Sequence, residues 1–285
     1  MKNLILSPVT RQQSEAFIRS PGQVLLISGP SGSGKLTLAK YLAEAILELP
    51  EKGFDGYGQS IVVSPDDGRA IGIDSARQLE RFMRLKVPGD KMYDRAAIIE
   101  DAHMMTTEAQ NALLKTLEEP PAGTLIVMTV SHEPALLPTV RSRAQALSVQ
   151  KPDRQSVNDF FAQQGHSAGD IQKIYTLSGG LPGLMSALLD DDDHPLKKAT
   201  EQARQLLSQP LFERLISVDA LAKDKVLAAD TVLILQRMAR ISLQSATGKP
   251  AQRWQKVLEA SYQATEALNS SAQPKLALTN LALQF

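Results

Sequence analysis

The stretch GPSGSGKLT, residues 29–37, combines glycines with one lysine at a spacing that suits phosphate binding. In the pattern G-x-x-x-x-G-K-[ST], backbone N–H groups close around phosphate oxygens, the lysine reaches the outer phosphates and the hydroxyl binds Mg²⁺. Gly29, Gly34 and Lys35 fit this pattern, so the loop predicts a site for ATP or ADP. The candidate binding residues are those of the whole loop: Gly29, Pro30, Ser31, Gly32, Ser33, Gly34, Lys35, Leu36 and Thr37.

The hydroxyl position of this loop is occupied by Leu36. Thr37 cannot replace the missing hydroxyl, because one step along a helix turns the side chain by about 100°. The sequence therefore disfavours Mg²⁺ at this loop and leaves nucleotide binding open. A glycine-rich turn from strand to helix that binds nothing is the alternative interpretation.

A second chemical feature is the acid pair Glu100-Asp101, which directly follows the apolar run AAII. In sites of this kind an Asp that organises Mg²⁺ comes first and a Glu that activates water comes next. Here the order is reversed. Asp is one methylene shorter than Glu, and a displacement of about 1 Å at a reacting centre can cost on the order of a hundredfold in rate. The pair therefore predicts weak hydrolysis, with a solvated strand end as the alternative.

Apolar patterning predicts the elements that would position both features. Short apolar runs predict buried parallel strands over residues 24–28, 96–99 and 124–130. One helical segment follows the glycine loop, and another lies between the last two strands, where Thr107 and Gln110 predict a capping box. Strand, glycine loop and helix form one half of a doubly wound unit. Residues 1–150 are therefore predicted to be one α/β domain with a parallel sheet.

Beyond Lys151 the strand signals disappear and the pattern becomes helical. Two short helical segments and the turn sequence GGLPG occupy residues 151–190. The acidic run Asp190 to Asp193, followed by Pro195, predicts a linker, with a solvated helix end as the alternative to any binding role. Residues 191–285 are predicted to be helical throughout, so the chain is expected to have three parts.

Composition narrows the classes of function. The chain carries 31 Lys plus Arg and 31 Asp plus Glu, so no global field draws it to nucleic acid or to an acidic membrane. Cysteine is absent, which excludes disulfides and thiolate zinc sites. No apolar run reaches the roughly 18 residues that a membrane span needs, and the first residues make a poor signal peptide. We expect a cytoplasmic protein without a membrane partner.

The run DAHMMTTEAQNALLKTLEEPPAGTLIVMT, followed by LLPTVRSRAQ, resembles the core of bacterial clamp-loader subunits of the AAA+ class. Among these it is most similar to the delta-prime type of DNA polymerase III, and NALLKTLEEPP is among the most distinctive strings of that family. The resemblance implies a RecA-like ATPase domain, a small helical lid and an all-α collar that assembles subunits into a ring. These parts correspond in order to residues 1–150, 151–190 and 191–285.

The same resemblance gives Arg143 a role. Members of the family carry a Ser-Arg-Cys motif whose arginine reaches the nucleotide of the neighbouring subunit, and here the motif reads Ser142-Arg143-Ala144. Arginine suits this task, because its planar, permanently charged guanidinium can meet the charge that develops on a transferring phosphoryl group. Arg143 is therefore expected to act in trans as an arginine finger. A surface arginine without such a role is the alternative.

Other features of the family are missing from this sequence. Active members place an arginine near the Gly-Gly segment of the lid, whereas this chain reads SGGLPG. Many members carry a four-cysteine zinc module after the first helix, which a chain without cysteine cannot form. The first sensor of the family is expected near Thr129 or Ser131. With Leu36 and the reversed acids, these departures favour a subunit without efficient hydrolysis of its own.

Three hypotheses about function follow. The first is a delta-prime-like assembly subunit that donates Arg143 and joins tau/gamma-like ATPase subunits and a delta-like subunit; the complex would act on a sliding clamp and primer-template DNA. The second is an active ATPase motor subunit of the tau/gamma type. The third is a small-molecule phosphotransferase. The sequence supports it least, because it contains no recognisable substrate lid with several arginines. Leu36, the acid order and the lid favour the first.

Overall fold

The computed structural model describes residues 4–49, 53–65, 70–85, 91–190, 195–244, 246–269 and 273–285. The chain divides into two compact units, Met1–Val157 and Asn158–Phe285. The first unit is an α/β structure and the second is helical, as the sequence predicts. The finer division into lid and collar at residue 190 stays a prediction. Residues 191–193 of the acidic run expected to link them lie outside the described residues.

A five-stranded parallel sheet forms the centre of the described part of the first unit. Its strands are β1 (Val24–Ser28), β2 (Ser60–Val63), β3 (Arg95–Ile99), β4 (Thr124–Val130) and β5 (Gln145–Ser148). The strand order is β2-β3-β4-β1-β5, and each adjacent pair runs parallel. The carboxyl ends of the strands therefore lie at one edge of the sheet and the amino ends at the other.

Helices cover both faces of this sheet. They are α1 (Pro8–Arg19), α2 (Lys35–Leu47), α3 (Ile73–Arg84), α4 (Thr107–Glu118) and the single turn α5 (Pro138–Arg141). Alternate residues of the central strands enter two separate cores: Leu25 and Ile27 pack with α1 and α2, whereas Leu26 packs with α3 and α4. This three-layer arrangement explains why the central strands are continuous apolar runs, since both of their faces are buried.

The strands predicted from apolar runs are confirmed. β1 and β4 have the predicted bounds, and β3 begins one residue earlier, at Arg95. The apolar pattern predicts neither β2 nor β5: β2 has a run of only three apolar residues and is partly buried, and β5 exposes three of its four residues. Both lie at the edges of the sheet, where a strand packs on fewer neighbours.

The start of α4 differs from the prediction by one residue. Thr106, not Thr107, is the N-cap, and its hydroxyl accepts a hydrogen bond from the backbone N–H of Ala109 at 3.2 Å. Gln110 therefore takes no part in a capping box. Its buried amide instead bonds to three backbone groups, including the N–H of Leu137 at 2.8 Å. This side chain fastens α4 to the segment that leads into α5.

The residues that the structure describes beyond β5 form helices joined by short connections. These helices are α6 (Arg154–Gln163), α7 (Ala168–Ser178), α8 (Pro182–Asp190), α9 (Pro195–Ser208), α10 (Leu211–Leu221), α11 (Lys225–Leu243), α12 (Lys249–Asn269) and α13 (Pro274–Ala282). A core shared by α9 to α13 buries Val232, Leu235 and Leu278 completely. Gly179 and Gly180, between α7 and α8, have φ values of 65° and 72°, which explains the paired glycines. None of the described helices is long and apolar enough to cross a membrane.

A buried arginine fastens α3 to the sheet. Arg95 is 3% exposed, and its guanidinium donates hydrogen bonds to the carbonyl oxygens of Met83 and Leu85 at the end of α3. The centre of the Phe82 ring lies 5.3 Å from the guanidinium carbon. Burial lowers the pKa of Arg95, and the negative end of the helix dipole compensates part of that cost.

Arg95→Ala should lower the free energy of unfolding by roughly 2–4 kcal/mol, because two carbonyl groups lose their donors and a space opens beside Phe82. Urea unfolding followed by circular dichroism measures the change. Arg77→Ala is the control, since it removes an exposed arginine from α3 and should change stability by less than about 0.5 kcal/mol. Equal shifts in the two variants would contradict the anchoring role of Arg95.

Candidate functional site

The glycine loop lies at the carboxyl edge of the sheet, between β1 and the first turn of α2. Gly32 and Gly34 have φ values of 80° and 83°, a left-handed conformation that other residues rarely adopt. A Cβ on Gly29 would come within 3.0 Å of Val149, so the loop packs directly on the chain after β5. The glycines thus give the loop its shape. No side chain caps the first N–H groups of α2, which leaves them available to a ligand.

Lys35 provides the positive charge of the loop. Its ammonium group donates hydrogen bonds to Pro30 O at 3.1 Å and to Ser131 Oγ at 2.8 Å. The residue is only 6% exposed. Burial lowers the pKa of Lys35, while the carboxylates of Asp101 and Glu100 act in the opposite direction. The hydrogen bonds of the Lys35 ammonium group therefore go to uncharged oxygen atoms. A phosphate oxygen can replace either of them as the acceptor.

Of the two candidate sensor residues, Thr129 and Ser131, it is Ser131 that contacts Lys35. It directly follows β4, and its hydroxyl contacts the Lys35 ammonium group. Thr129 lies within β4, where its Oγ1 accepts a hydrogen bond from the N–H of Asp101 at 3.0 Å. Ser131 is thus placed to contact a ligand of Lys35, and Thr129 fixes the backbone that follows β3.

Leu36 lays its side chain against the apolar core. It is partly buried and packs against the cluster formed by α1, α2 and the adjoining face of the sheet. Thr37 is exposed. Because consecutive side chains of a helix point in different directions, Thr37 does not restore the hydroxyl that the phosphate-loop pattern requires at residue 36.

The two acids at the end of β3 have different contacts. Glu100 accepts a hydrogen bond from Ser64 Oγ, next to the end of β2, at 2.8 Å. Asp101 has a φ of 46°, an uncommon conformation for a residue other than glycine, and its N–H donates to Thr129. Glu100 is thus bound to the residue that follows β2. Of the two acids, Asp101 has the larger effect on the pKa of Lys35.

His103 belongs to the site, although its sequence context gives no sign of it. Its Nδ1 accepts the N–H of Ser131 at 3.5 Å and lies 3.8 Å from Asp101 Oδ1. A ring nitrogen that accepts an N–H carries no proton. Burial, assisted by the charge of Lys35, lowers the pKa of His103 against the effect of Asp101. The imidazole is therefore neutral at neutral pH, and its contact with Asp101 is not an ion pair there.

The residues of this site supply fewer ligands for Mg²⁺ than a complete phosphate-loop site does. Mg²⁺ takes a near-octahedral set of oxygen ligands, usually one or two carboxylates together with phosphate oxygens and water. Here Leu36 supplies no hydroxyl, and Glu100 is engaged with Ser64. Within the described ranges, no group of three or more His, Asp or Glu residues is arranged to hold a metal ion. Asp101 is left as the single carboxylate for such a ligand set.

Arg143 lies at the opposite edge of the sheet. It precedes β5, which pairs in parallel with β1 so that Leu25 lies beside Gln145 and Ser28 beside Ser148. The glycine loop follows the carboxyl end of β1, so the length of a strand, roughly 15 Å, separates the loop from Arg143. The structure therefore does not bring Arg143 to Lys35 of the same chain.

Two contacts hold the guanidinium of Arg143. Nη1 donates to Thr139 O at 2.9 Å, and Nη2 lies 3.3 Å from Glu118 Oε1 at the end of α4. The side chain remains 30% exposed. Arg141, two residues earlier, lies 3.9 Å from Glu133. Arg143 is thus at the surface and paired with an acid of its own chain, a partner that the local sequence does not indicate.

Comparisons with known proteins agree with this architecture. Residues 12–153 match the family described as DNA polymerase III, delta subunit. The delta' subunit of DNA polymerase III from Pseudomonas aeruginosa is 29% identical over 177 residues, 55% of this chain and 52% of that protein. The gamma/tau subunit from Mycobacterium tuberculosis is 34% identical over 132 residues, 41% of this chain and 22% of that protein. The chain thus spans about half the length of the first relative and less of the second.

A solved structure resembles nearly the whole chain. The crystal structure of a DNA polymerase III gamma subunit-related protein from Thermotoga maritima is 25% identical in sequence and gives a TM-score of 0.58. The match covers 96% of this chain and 97% of that one. The predicted fold class, a RecA-like AAA+ domain with a parallel sheet followed by helices, is confirmed. Together, the fold and these matches identify the chain as a member of the clamp-loader family of DNA polymerase III subunits.

Proposed function

We propose that the protein is a delta-prime-like clamp-loader subunit of the bacterial cytoplasm. It joins tau/gamma-like ATPase subunits and a delta-like subunit in a ring that loads a sliding clamp onto primed DNA. Its own loop binds ATP or ADP, its own hydrolysis is weak or absent, and Arg143 acts on the nucleotide of a neighbouring subunit. The placement of Arg143 is the observation that carries this proposal.

Arg143 cannot serve the glycine loop of its own chain, because the two lie at opposite edges of the sheet. An arginine that assists phosphoryl transfer must contact the phosphoryl oxygens. The phosphate that Arg143 meets therefore has to come from another subunit. The partial exposure of its guanidinium supports contact with such a neighbour.

Weak hydrolysis by the chain itself follows from two altered parts of its site. Leu36 packs into the core, and Glu100 is bound to Ser64. Asp101 follows at the position of the water-activating acid, but it is one methylene shorter than glutamate, and a misplacement of about 1 Å can cost on the order of a hundredfold in rate. The loop glycines and Lys35 are intact. The chain is thus better equipped to bind a nucleotide than to cleave it.

An active motor subunit of the tau/gamma type is the second candidate. The likeness to a gamma/tau subunit favours it, as do the intact glycines and Lys35. These observations fit equally well with a subunit that binds nucleotide without cleaving it. The hydrolysis rate of the isolated chain separates the two candidates.

Arg143→Ala should slow the ATPase of a ring reconstituted with tau/gamma-like and delta-like subunits. The one site that Arg143 faces should lose roughly a thousandfold or more in its rate, because it loses the charge that stabilises the transferring phosphoryl group. Steady-state phosphate release of the whole ring should fall by the share that this site contributes, and gel filtration should show that the ring still assembles.

Arg141→Ala is the matched control for that experiment. It removes the same charge two residues away, where the guanidinium contacts Glu133 instead of Glu118. The rate of the Arg141→Ala ring should stay close to that of the unaltered ring. An unchanged rate in the Arg143→Ala ring would rule out the finger role.

The isolated chain should release phosphate from ATP no faster than its Lys35→Met variant. Lysine is required to hold the outer phosphates in a working loop, so hydrolysis that this substitution leaves unchanged does not come from the loop. The comparison removes the contribution of contaminating ATPases, which is the same in both preparations. Hydrolysis that depends on Lys35 at motor-like rates would instead establish the tau/gamma type of function.

A further inference from the structure

The donors of the glycine loop suit an anion. The first turn of α2 presents N–H groups that no side chain caps, and Lys35 adds a full positive charge beside them. A helix N-terminus attracts phosphate through such N–H groups and through the helix dipole. The Lys35 ammonium group and the N–H groups of α2 therefore give this loop its positive charge.

Ser33 gives an independent indication of a ligand in the loop. The residue is 7% exposed, and its Oγ has no hydrogen-bond partner. A Cβ on Gly29 would lie 3.4 Å from this oxygen, so the hydroxyl faces the backbone at the start of the loop. A buried hydroxyl without a partner destabilises a fold. A ligand in the loop that accepts a hydrogen bond from Ser33 Oγ would explain why this buried hydroxyl is present.

One usual anchor of a nucleotide-bound metal is missing from this loop, and the other is altered. In metal-dependent phosphate loops, Mg²⁺ is held by the hydroxyl at the position of Leu36 and by an acid that follows a neighbouring strand. Leu36 packs in the apolar core, and Glu100 accepts a hydrogen bond from Ser64. Asp101, the remaining acid, lies beside the neutral ring of His103.

We infer that this loop binds the phosphates of a nucleoside diphosphate or triphosphate as the free anion, without Mg²⁺. The inference rests on the proposed nucleotide binding and goes beyond it by naming the ionic form of the ligand. Lys35 and the N–H groups of α2 supply the positive charge that a metal ion supplies in other phosphate loops. In this complex Ser33 Oγ donates a hydrogen bond to a phosphate oxygen. The same phosphate oxygen accepts the hydrogen bond that the Lys35 ammonium group now donates to Pro30 O.

Isothermal titration of the full chain with ADP tests this inference, once with excess Mg²⁺ and once with EDTA. Chelation should leave the affinity unchanged or raise it, because free Mg²⁺ competes with the protein for ADP. An affinity that falls about tenfold or more in EDTA would overturn the inference, and so would the absence of binding under both conditions. Neither result affects the proposed role of Arg143, which concerns the nucleotide of a neighbour and is measured in the ring.

Ser33→Ala separates a contact with the ligand from a structural role. Removal of an unpaired buried hydroxyl should leave the urea midpoint of unfolding unchanged or raised, while the affinity for ADP in EDTA falls about tenfold. Lys35→Met should weaken binding by at least as much. Lys40→Met is the control on the same helix, since it breaks only the pair with Asp55. A lower midpoint with unchanged affinity in Ser33→Ala would contradict the contact.

Leu36→Thr tests the cause of the metal independence. With a hydroxyl restored at this position, ADP should bind roughly tenfold more tightly with Mg²⁺ than with EDTA. Leu36→Ala is the matched control, because it removes the same core contact without adding a hydroxyl, and it should show no preference for Mg²⁺. Equal affinities of Leu36→Thr under both conditions would contradict the explanation from Leu36.

Discussion

The parallel pairing of β1 with β4 and β5 is the constraint on which the site depends. Because the strands point the same way, groups that directly follow a strand meet at one edge of the sheet. Lys35, soon after β1, reaches Ser131, after β4, although the two are far apart in sequence. Asp101, after β3, joins them there. Arg143 precedes a strand, and the same pairing therefore keeps it at the opposite edge.

Sequence patterns identified the parts of this structure that local physical chemistry determines. Continuous apolar runs marked β1, β3 and β4 because these strands are buried on both faces, and glycine spacing marked the loop that needs positive φ angles. The edge strands β2 and β5 have shorter apolar runs, and neither strand is fully buried. Pairs such as Lys35–Ser131 and Arg143–Glu118 join separate elements, so they depend on strand order and helix packing, which no local pattern specifies.

Binding and cleavage of a nucleotide depend on different residues in this fold. The glycines and the start of α2 shape the loop, and their geometry does not require a hydroxyl at residue 36. A leucine there adds apolar contacts to the core, and complete burial of such a side chain contributes about 1.5–3 kcal/mol. A substitution that removes a metal ligand can thus be neutral or favourable for folding. Loss of catalysis in such a subunit needs no loss of structure.

The carboxylate of Glu118 contacts the guanidinium of Arg143, so an anion that binds Arg143 has to compete with it. A carboxylate already compensates the guanidinium, so a weakly held anion in solution gains little by replacing it. A phosphate that is held in place by a docked subunit offers several oxygens to the planar guanidinium and competes better. In the proposed role of Arg143, competition from Glu118 would therefore favour a phosphate held by a docked subunit over a free anion.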